Sequence, residues 1–143
     1  MRHRYLFDEG EWGIGGTYFD PAGHGVPVEG RAVVSHEPGQ WLLEGAWTIM
    51  SEPPVEVDSR YEIVPFGETS FTTWTANDPV LGWLNGSFTV VGDTILSTFT
   101  TDDGQRGMEA MRQVGDSAYE NRGALIEGER PVSTWSLHFT RRS

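Results

Sequence analysis

Residues that favour tight turns recur along the whole chain at short intervals. These turn signals combine Gly or Pro with Asn, Asp, Glu or Ser, and such combinations favour reversals of the backbone. They occur at residues 20–25, 37–40, 51–54, 65–68, 77–79, 92–93, 102–104, 115–116 and 127–131. The segments between them hold roughly 7 to 10 residues and are rich in Thr, Val and aromatic residues, which is typical of β-strands. None of the gaps is long enough for a helical domain.

The spacing predicts about ten strands in sequence order. Their expected ranges are 12–19, 28–36, 41–50, 56–64, 69–76, 83–91, 94–101, 105–113, 117–126 and 132–141. Within residues 55–63, apolar or small side chains alternate with charged ones, which indicates a strand with one buried face. Residues 108–113 also have helical propensity, so a short helix is an alternative there, although Gly107 and Gly115 bracket it tightly.

A meander of this length has two edge strands, and closing it into a barrel removes both. We therefore predict an all-β fold: a single antiparallel up-and-down β-barrel of about ten strands, forming one domain over residues 1–143. A barrel of about eight to ten strands has an interior wide enough for one small ligand. A two-sheet sandwich is the alternative, and it is disfavoured because the chain contains no long crossover connection.

The chain carries an excess of acidic residues. Lys and Arg together number 10, and Asp and Glu number 21, which gives a formal net charge of -11 at pH 7. Nucleic acids and anionic membrane surfaces are bound through basic side chains, so neither is an expected partner. No apolar run approaches the ~18 to 20 residues of a membrane helix, and residues 1–9 turn acidic before a signal-peptide core could form. The expected location is therefore the cytoplasm.

Two missing residue types limit the chemistry further. The chain has no Cys, and all ten basic residues are Arg because Lys is absent. Thiol catalysis, thiolate metal sites, Schiff-base chemistry and a P-loop lysine are therefore excluded. The four His residues are scattered along the sequence, so no metal site is predicted. Carboxylate, imidazole, hydroxyl, Arg and aromatic groups remain.

Aromatic residues are the strongest local signal for a binding site. They fill the barrel in the simplest interpretation, but they are more numerous than the closure of one end requires. Trp and Tyr suit the wall of a ligand cavity because each has a flat apolar face and one hydrogen-bonding group. The predicted ligand-binding residues are Trp47, Tyr61, Trp74, Trp83, Phe88, Met108 and Trp135.

Ionisable residues on the late strands form a second candidate group. Glu109, Tyr119, Arg122 and His138 lie on neighbouring strands and would converge if their side chains point the same way. They are the predicted catalytic or hydrogen-bonding residues beside the aromatic wall. The alternative is a solvated outer ladder of cross-strand Arg–Glu pairs. Adjacent residues of a strand face opposite sides, so Glu109 points outward if Met108 and Ala110 point inward, and inward if they point outward. The sequence does not decide between these two directions.

The two ends of the chain carry a family resemblance. Gly10-Glu11-Trp12 opens the first strand and Arg141-Arg142 closes the last, an arrangement that resembles the calycin superfamily, which includes lipocalin-like and nitrobindin-like barrels. The resemblance implies that Trp12 plugs the closed end while one of the two arginines packs over its indole, a favourable cation–π pair. Nitrobindin-type barrels bind haem through a His near the C-terminus, the region of His138. The match stops there, and no cofactor is predicted.

The sequence therefore leads to a functional hypothesis with alternatives. The protein is expected to be a lipocalin-like barrel that binds one small, largely apolar molecule, as a monomer or homodimer. The alternative is a cofactor-independent enzyme, a cyclase or isomerase of natural-product biosynthesis, that folds its substrate inside the barrel. A structural protein without a ligand is the third possibility, and it explains the acidity but not the aromatic residues.

Overall fold

Ten antiparallel strands form one closed barrel. The computed structural model describes residues 2–142. The strands are β1 Gly10–Phe19, β2 Gly25–Glu37, β3 Gln40–Ile49, β4 Val55–Ile63, β5 Phe71–Asp78, β6 Gly82–Val91, β7 Thr94–Thr101, β8 Arg106–Gly115, β9 Ala118–Glu127 and β10 Arg130–Arg141. Each strand pairs with its sequence neighbours, and β1 also pairs with β10. The predicted up-and-down barrel is confirmed, and the sandwich alternative is wrong.

The turn chemistry explains where the strands end. Gly39 and Gly104 adopt positive φ angles of 79° and 82° in the β2–β3 and β7–β8 connections, a conformation that residues with a Cβ rarely reach. Residues 108–113 lie within β8 rather than in a helix, because pairing with β7 and β9 outweighs their local propensity. Within residues 2–142, no helix is long and apolar enough to cross a membrane.

Side chains alternate between the barrel interior and the solvent. On β4, Val57, Ser59 and Ile63 are buried, while the charged residues between them are exposed. This is the period of two that a strand with one covered face requires. The strands therefore direct one row each into the interior.

The segment before β1 closes one end of the barrel. Tyr5 and Leu6 are buried there, and the Tyr5 ring meets the indole of Trp12 edge-on at 5.6 Å between centroids. The Arg141 guanidinium lies 5.9 Å from the centroid of the Trp12 ring, within the range of a cation–π pair. The expected plug is thus present with Arg141, whereas Arg142 lies against Gly13 on the outer face.

Tyr119 fixes the segment to the barrel. Its hydroxyl accepts hydrogen bonds from the backbone N–H groups of Arg4 at 3.2 Å and Tyr5 at 3.4 Å, and lies 2.8 Å from Nδ1 of His3. On the opposite side, Nε2 of His36 donates to the carbonyl of Leu6 at 2.7 Å. The interior therefore opens at the other end, beside the β1–β2, β3–β4 and β5–β6 connections.

Candidate functional site

The interior contains two adjacent chambers. The outer chamber, of about 500 Å³, lies at the open end, and the inner chamber, of about 70 Å³, lies deeper in the barrel. Five side chains line both chambers, and we call this group the waist. The waist consists of Tyr18, Trp47, Tyr61, Glu109 and Trp135.

The outer chamber has mostly apolar walls. They include Ile49, Val57, Leu84, Phe99 and Leu125 from five different strands. Two carboxylates lie at its rim. Asp20 accepts hydrogen bonds from backbone N–H groups in the β1–β2 turn, and Asp78 does so in the β5–β6 turn. The chamber therefore combines an apolar interior with an acidic entrance.

The inner chamber has more polar groups. Ser59, Ser97 and Asn121 line it together with Glu109. Among residues 2–142, the hydroxyls of Ser59 and Ser97 and the side-chain carbonyl of Asn121 are buried without a hydrogen-bond partner. Buried polar atoms are costly when they remain unpaired. These three groups are therefore available to a polar group of a ligand.

Glu109 is the acidic residue of the waist. Its Oε1 accepts a hydrogen bond of 2.9 Å from Nε1 of Trp135. Burial raises the pKa of the Glu109 carboxyl above its ordinary value, although hydrogen bonds from Trp135 and Asn121 oppose the rise. Desolvation disfavours the charged form of a carboxylate, so a proton or a nearby positive charge stabilises this side chain.

The tyrosines of the interior stay neutral over the ordinary pH range. Burial, and to a smaller extent the charge of Glu109, raises the pKa of Tyr5, Tyr18 and Tyr61 well above the value of a free phenol. Their hydroxyls therefore remain able to donate hydrogen bonds.

Glycines on neighbouring strands make room for four of the interior rings. Each aromatic residue is paired across the sheet with a glycine, where a Cβ would overlap the aromatic side chain. The pairs are Gly30 with Trp47, Gly86 with Trp74, Gly107 with Phe99, and Gly123 with Trp135. The sequence analysis missed these glycines, although a glycine in the middle of a strand is itself a signal of close approach.

Most of the predicted ligand-binding residues lie inside the barrel. Trp47, Tyr61 and Trp135 belong to the waist, and Phe88 lines the inner chamber. Trp74 is buried behind this wall, 4.6 Å from Tyr61 between ring centroids. It supports the wall and lines neither chamber.

Two of those predicted residues require correction. Trp83 is 54% exposed and Met108 is 47% exposed, both on the outer face. Leu84 and Phe88 point inward on β6, and Met111 points inward on β8. Strict alternation then directs Trp83 and Met108 outward.

Comparisons with known proteins bear on the fold. No family model and no curated protein matches the chain. Among solved structures, it is similar to the S-type phycobiliprotein lyase CPES from Guillardia theta, with a TM-score of 0.68 at 9% sequence identity. The likeness covers 95% of this chain and 89% of that chain. The fold is a lipocalin-like barrel.

In this lipocalin-like barrel the four predicted polar residues do not converge. Glu109 faces the chambers, but Tyr119 lies at the closed end beneath residues 3–5. Arg122 is exposed beside Glu120, with 3.6 Å between Nη2 and Oε2. His138 is exposed on the outer face, where its ring lies against Gly15. Of the four residues, the structure therefore brings only Glu109 to the chambers.

The position of His138 also bears on the haem that a nitrobindin-like barrel implies. Its ring lies on the outside of β10, whereas Trp135, Leu137 and Phe139 of the same strand line the interior. An outward imidazole cannot ligate iron inside the barrel, so His138 does not fit that role. Within the described residues, His, Asp and Glu form no group of three or more that could hold a metal ion.

Proposed function

We propose that this protein binds one small, largely apolar molecule inside the barrel. The observation that carries the proposal is the chamber of about 500 Å³ with apolar walls, which opens at the end of the barrel and extends inward to the waist. Ligand sites are typically clefts of about 300 to 1,000 Å³ with apolar walls and a few placed polar groups. The apolar part of the ligand would occupy the outer chamber, and a polar group would reach Glu109 and the unpaired groups behind it.

The likeness to the lyase from Guillardia theta supports a ligand inside the barrel. That protein is described as a lyase of phycobiliproteins, which makes a pigment-like small molecule one suitable class. At 9% identity the likeness concerns the fold, so the chemistry of the ligand is argued from the chambers of this chain.

Two measurements test the proposal. Native mass spectrometry of freshly purified protein would detect a small molecule that copurifies. A titration with N-phenyl-1-naphthylamine, a neutral apolar fluorophore, should saturate near one molecule per chain and change little with salt, because apolar contact is insensitive to screening. A linear titration that never saturates, with no copurifying mass, would contradict the proposal.

A pair of tryptophan variants shows whether the probe occupies the barrel. Trp47→Leu removes a ring of the waist, and Trp83→Leu removes an exposed ring of the outer face. We expect Trp47→Leu to weaken probe binding by about tenfold, which corresponds to roughly 1.4 kcal/mol, while Trp83→Leu leaves it unchanged. Equal effects would place the probe outside the chambers.

The raised pKa of Glu109 favours a second candidate, a cofactor-independent cyclase or isomerase. A carboxyl that lies between two chambers and whose pKa is raised by burial is suited to act as a general acid. Catalysis would then depend on Glu109, with Ser97 and Asn121 nearby, rather than on the predicted group of four. Glu109→Gln tests this second candidate once a compound that the protein converts has been found. An enzyme would lose about 10²-fold in turnover, and a binder has no turnover to lose.

A further inference from the structure

The waist combines aromatic rings with a single acidic side chain. Two Trp and two Tyr side chains, from β1, β3, β4 and β10, line the boundary between the chambers together with Glu109 from β8. Aromatic rings attract cations through their negative faces, and the attraction grows when water is excluded. A carboxylate beside the rings adds a full opposite charge.

We infer that the waist binds a positively charged nitrogen, so that the ligand of this barrel is a lipophilic amine. The inference rests on the proposed function and specifies its ligand class. The ammonium group would lie among the waist rings beside Glu109. The hydrocarbon part would extend into the outer chamber, whose walls are mostly apolar.

The distribution of charge supports a cation over an anion. The chain has no Lys, and within residues 2–142 no Arg lines either chamber. The basic side chain of the outer chamber is His24 at the rim, whose Nδ1 lies 3.3 Å from Oδ2 of Asp20. Acidic side chains occur instead, at the rim as Asp20 and Asp78 and at the waist as Glu109. Such a row of like charges raises the local concentration of cations and repels anions. A fatty-acid carboxylate would find no Lys or Arg along the described residues of the chambers, and His24 at the rim already faces Asp20.

The cost of burying Glu109 points the same way. A carboxylate removed from water is destabilised unless a positive charge or several hydrogen bonds compensate it. Trp135 and Asn121 donate hydrogen bonds to it. The titratable groups that face it are the tyrosines Tyr5, Tyr18 and Tyr61, with Asp78 at the rim. None of these supplies a positive charge. An ammonium ligand would supply it.

Three probes of one shape test the inference in the unmodified protein. 1-Naphthylmethylamine is a cation at neutral pH, 1-naphthalenemethanol is neutral, and 1-naphthoate is an anion. Isothermal titration calorimetry at pH 7 gives the affinity of each. We expect the amine to bind at least about tenfold tighter than the alcohol. We expect the naphthoate to bind more weakly than the alcohol.

A matched pair of variants locates the charge that selects the amine. Glu109→Gln keeps an oxygen that accepts the Trp135 hydrogen bond but removes the charge. Glu44→Gln makes the same change in net charge on the exposed face of β3. We expect Glu109→Gln to remove the preference for amine over alcohol while the alcohol binds within about threefold of its original affinity. Glu44→Gln should leave both affinities unchanged.

The possible outcomes distinguish a failure of this inference from a failure of the proposed ligand-binding function. If the alcohol and N-phenyl-1-naphthylamine bind but the amine has no advantage, the ligand class is wrong and the binding function stands. If the preference survives in Glu109→Gln or vanishes in Glu44→Gln, the selecting charge is not at the waist, which also overturns the inference. If none of the probes binds the folded protein, the proposed function fails with it.

Discussion

Glu109 and Trp135 form a hydrogen bond across the strand that separates them. Trp135 Nε1 donates to Glu109 Oε1 at 2.9 Å, and Gly123 of β9 is paired with both residues, with Glu109 on one side and Trp135 on the other. Because Gly123 has no side chain, the indole lies over its backbone and reaches the carboxylate. A residue that contributes no side chain therefore determines the geometry of the waist.

We predict that Gly123→Ala disrupts the waist. The added Cβ would overlap the Trp135 ring, including Nε1, so the ring must move away from Glu109. Forcing an extra methyl group into a packed interior costs about 1 to 3 kcal/mol. Urea unfolding should show that loss, and the affinity for N-phenyl-1-naphthylamine should fall as well.

Gly67→Ala is the control for this substitution. Gly67 lies between β4 and β5, and a Cβ there would have no atom within 4 Å. Its unfolding free energy and its probe affinity should match those of the parent. If Gly123→Ala behaved like Gly67→Ala, the Trp135 ring would not depend on the glycine beneath it.

A second prediction follows from the raised pKa of Glu109. The native state holds the proton of this carboxyl more tightly than the unfolded chain does. Stability therefore falls as pH rises from the ordinary glutamate value of 4.5 through the native pKa, because the unfolded state binds fewer protons in that interval. Glu109→Gln cannot ionise and escapes this loss.

The difference in unfolding free energy between the parent and Glu109→Gln isolates the titration of Glu109 from that of other carboxylates. One of these is Asp8, whose pKa lies below its usual range. Urea unfolding of parent and Glu109→Gln should be compared from pH 4 to pH 8. The variant should gain stability relative to the parent as pH rises. A difference that stayed constant with pH would show that Glu109 titrates normally.

The sequence allowed the strands and the barrel to be predicted because turn chemistry is local. Gly39 and Gly104 are in turns, as the pattern around each indicated. The packing of Tyr5 and Leu6 over the Trp12 plug was not predictable, since it depends on contacts with Trp12 and with Tyr119, which lies far along the chain. The size of the chambers was not predictable either, because it depends on which aromatic side chains pack over the glycines of neighbouring strands.

The site was only partly predictable because the two faces of several strands look alike in composition. On four strands the predicted set includes residues of opposite parity, which cannot both point inward in a regular strand. These pairs are Trp83 with Phe88, Met108 with Glu109, Tyr119 with Arg122, and Trp135 with His138. In a regular strand, inward-facing residues are all odd-numbered or all even-numbered, so the sequence alone shows that one residue of each pair must face outward. Deciding which residue of the pair faces inward requires the register with the neighbouring strands.

The closed end leads to a third prediction, about the Trp12–Arg141 pair. Trp12 is fully buried, so Trp12→Ala should cost about 3 to 5 kcal/mol. Arg141→Met removes the guanidinium over the indole and should cost about 1 to 2 kcal/mol. Arg142→Met is the matched control on the outer face and should change stability by no more than about 0.5 kcal/mol. Thermal and urea unfolding measure all three, and a stable Trp12→Ala would contradict the role of the plug.

Tyr119 gives the last prediction, which separates a structural role from a role in the chambers. Tyr119→Phe removes the hydroxyl that accepts the N–H groups of Arg4 and Tyr5, and leaving buried groups unpaired costs about 1 to 3 kcal/mol. Hydrogen exchange should show faster exchange at those two amides, while probe affinity stays unchanged because Tyr119 lines neither chamber. Tyr61→Phe removes the same atom at the waist and should leave the two amides protected. If Tyr119→Phe instead weakened probe binding with the amides still protected, Tyr119 would belong to the binding site after all.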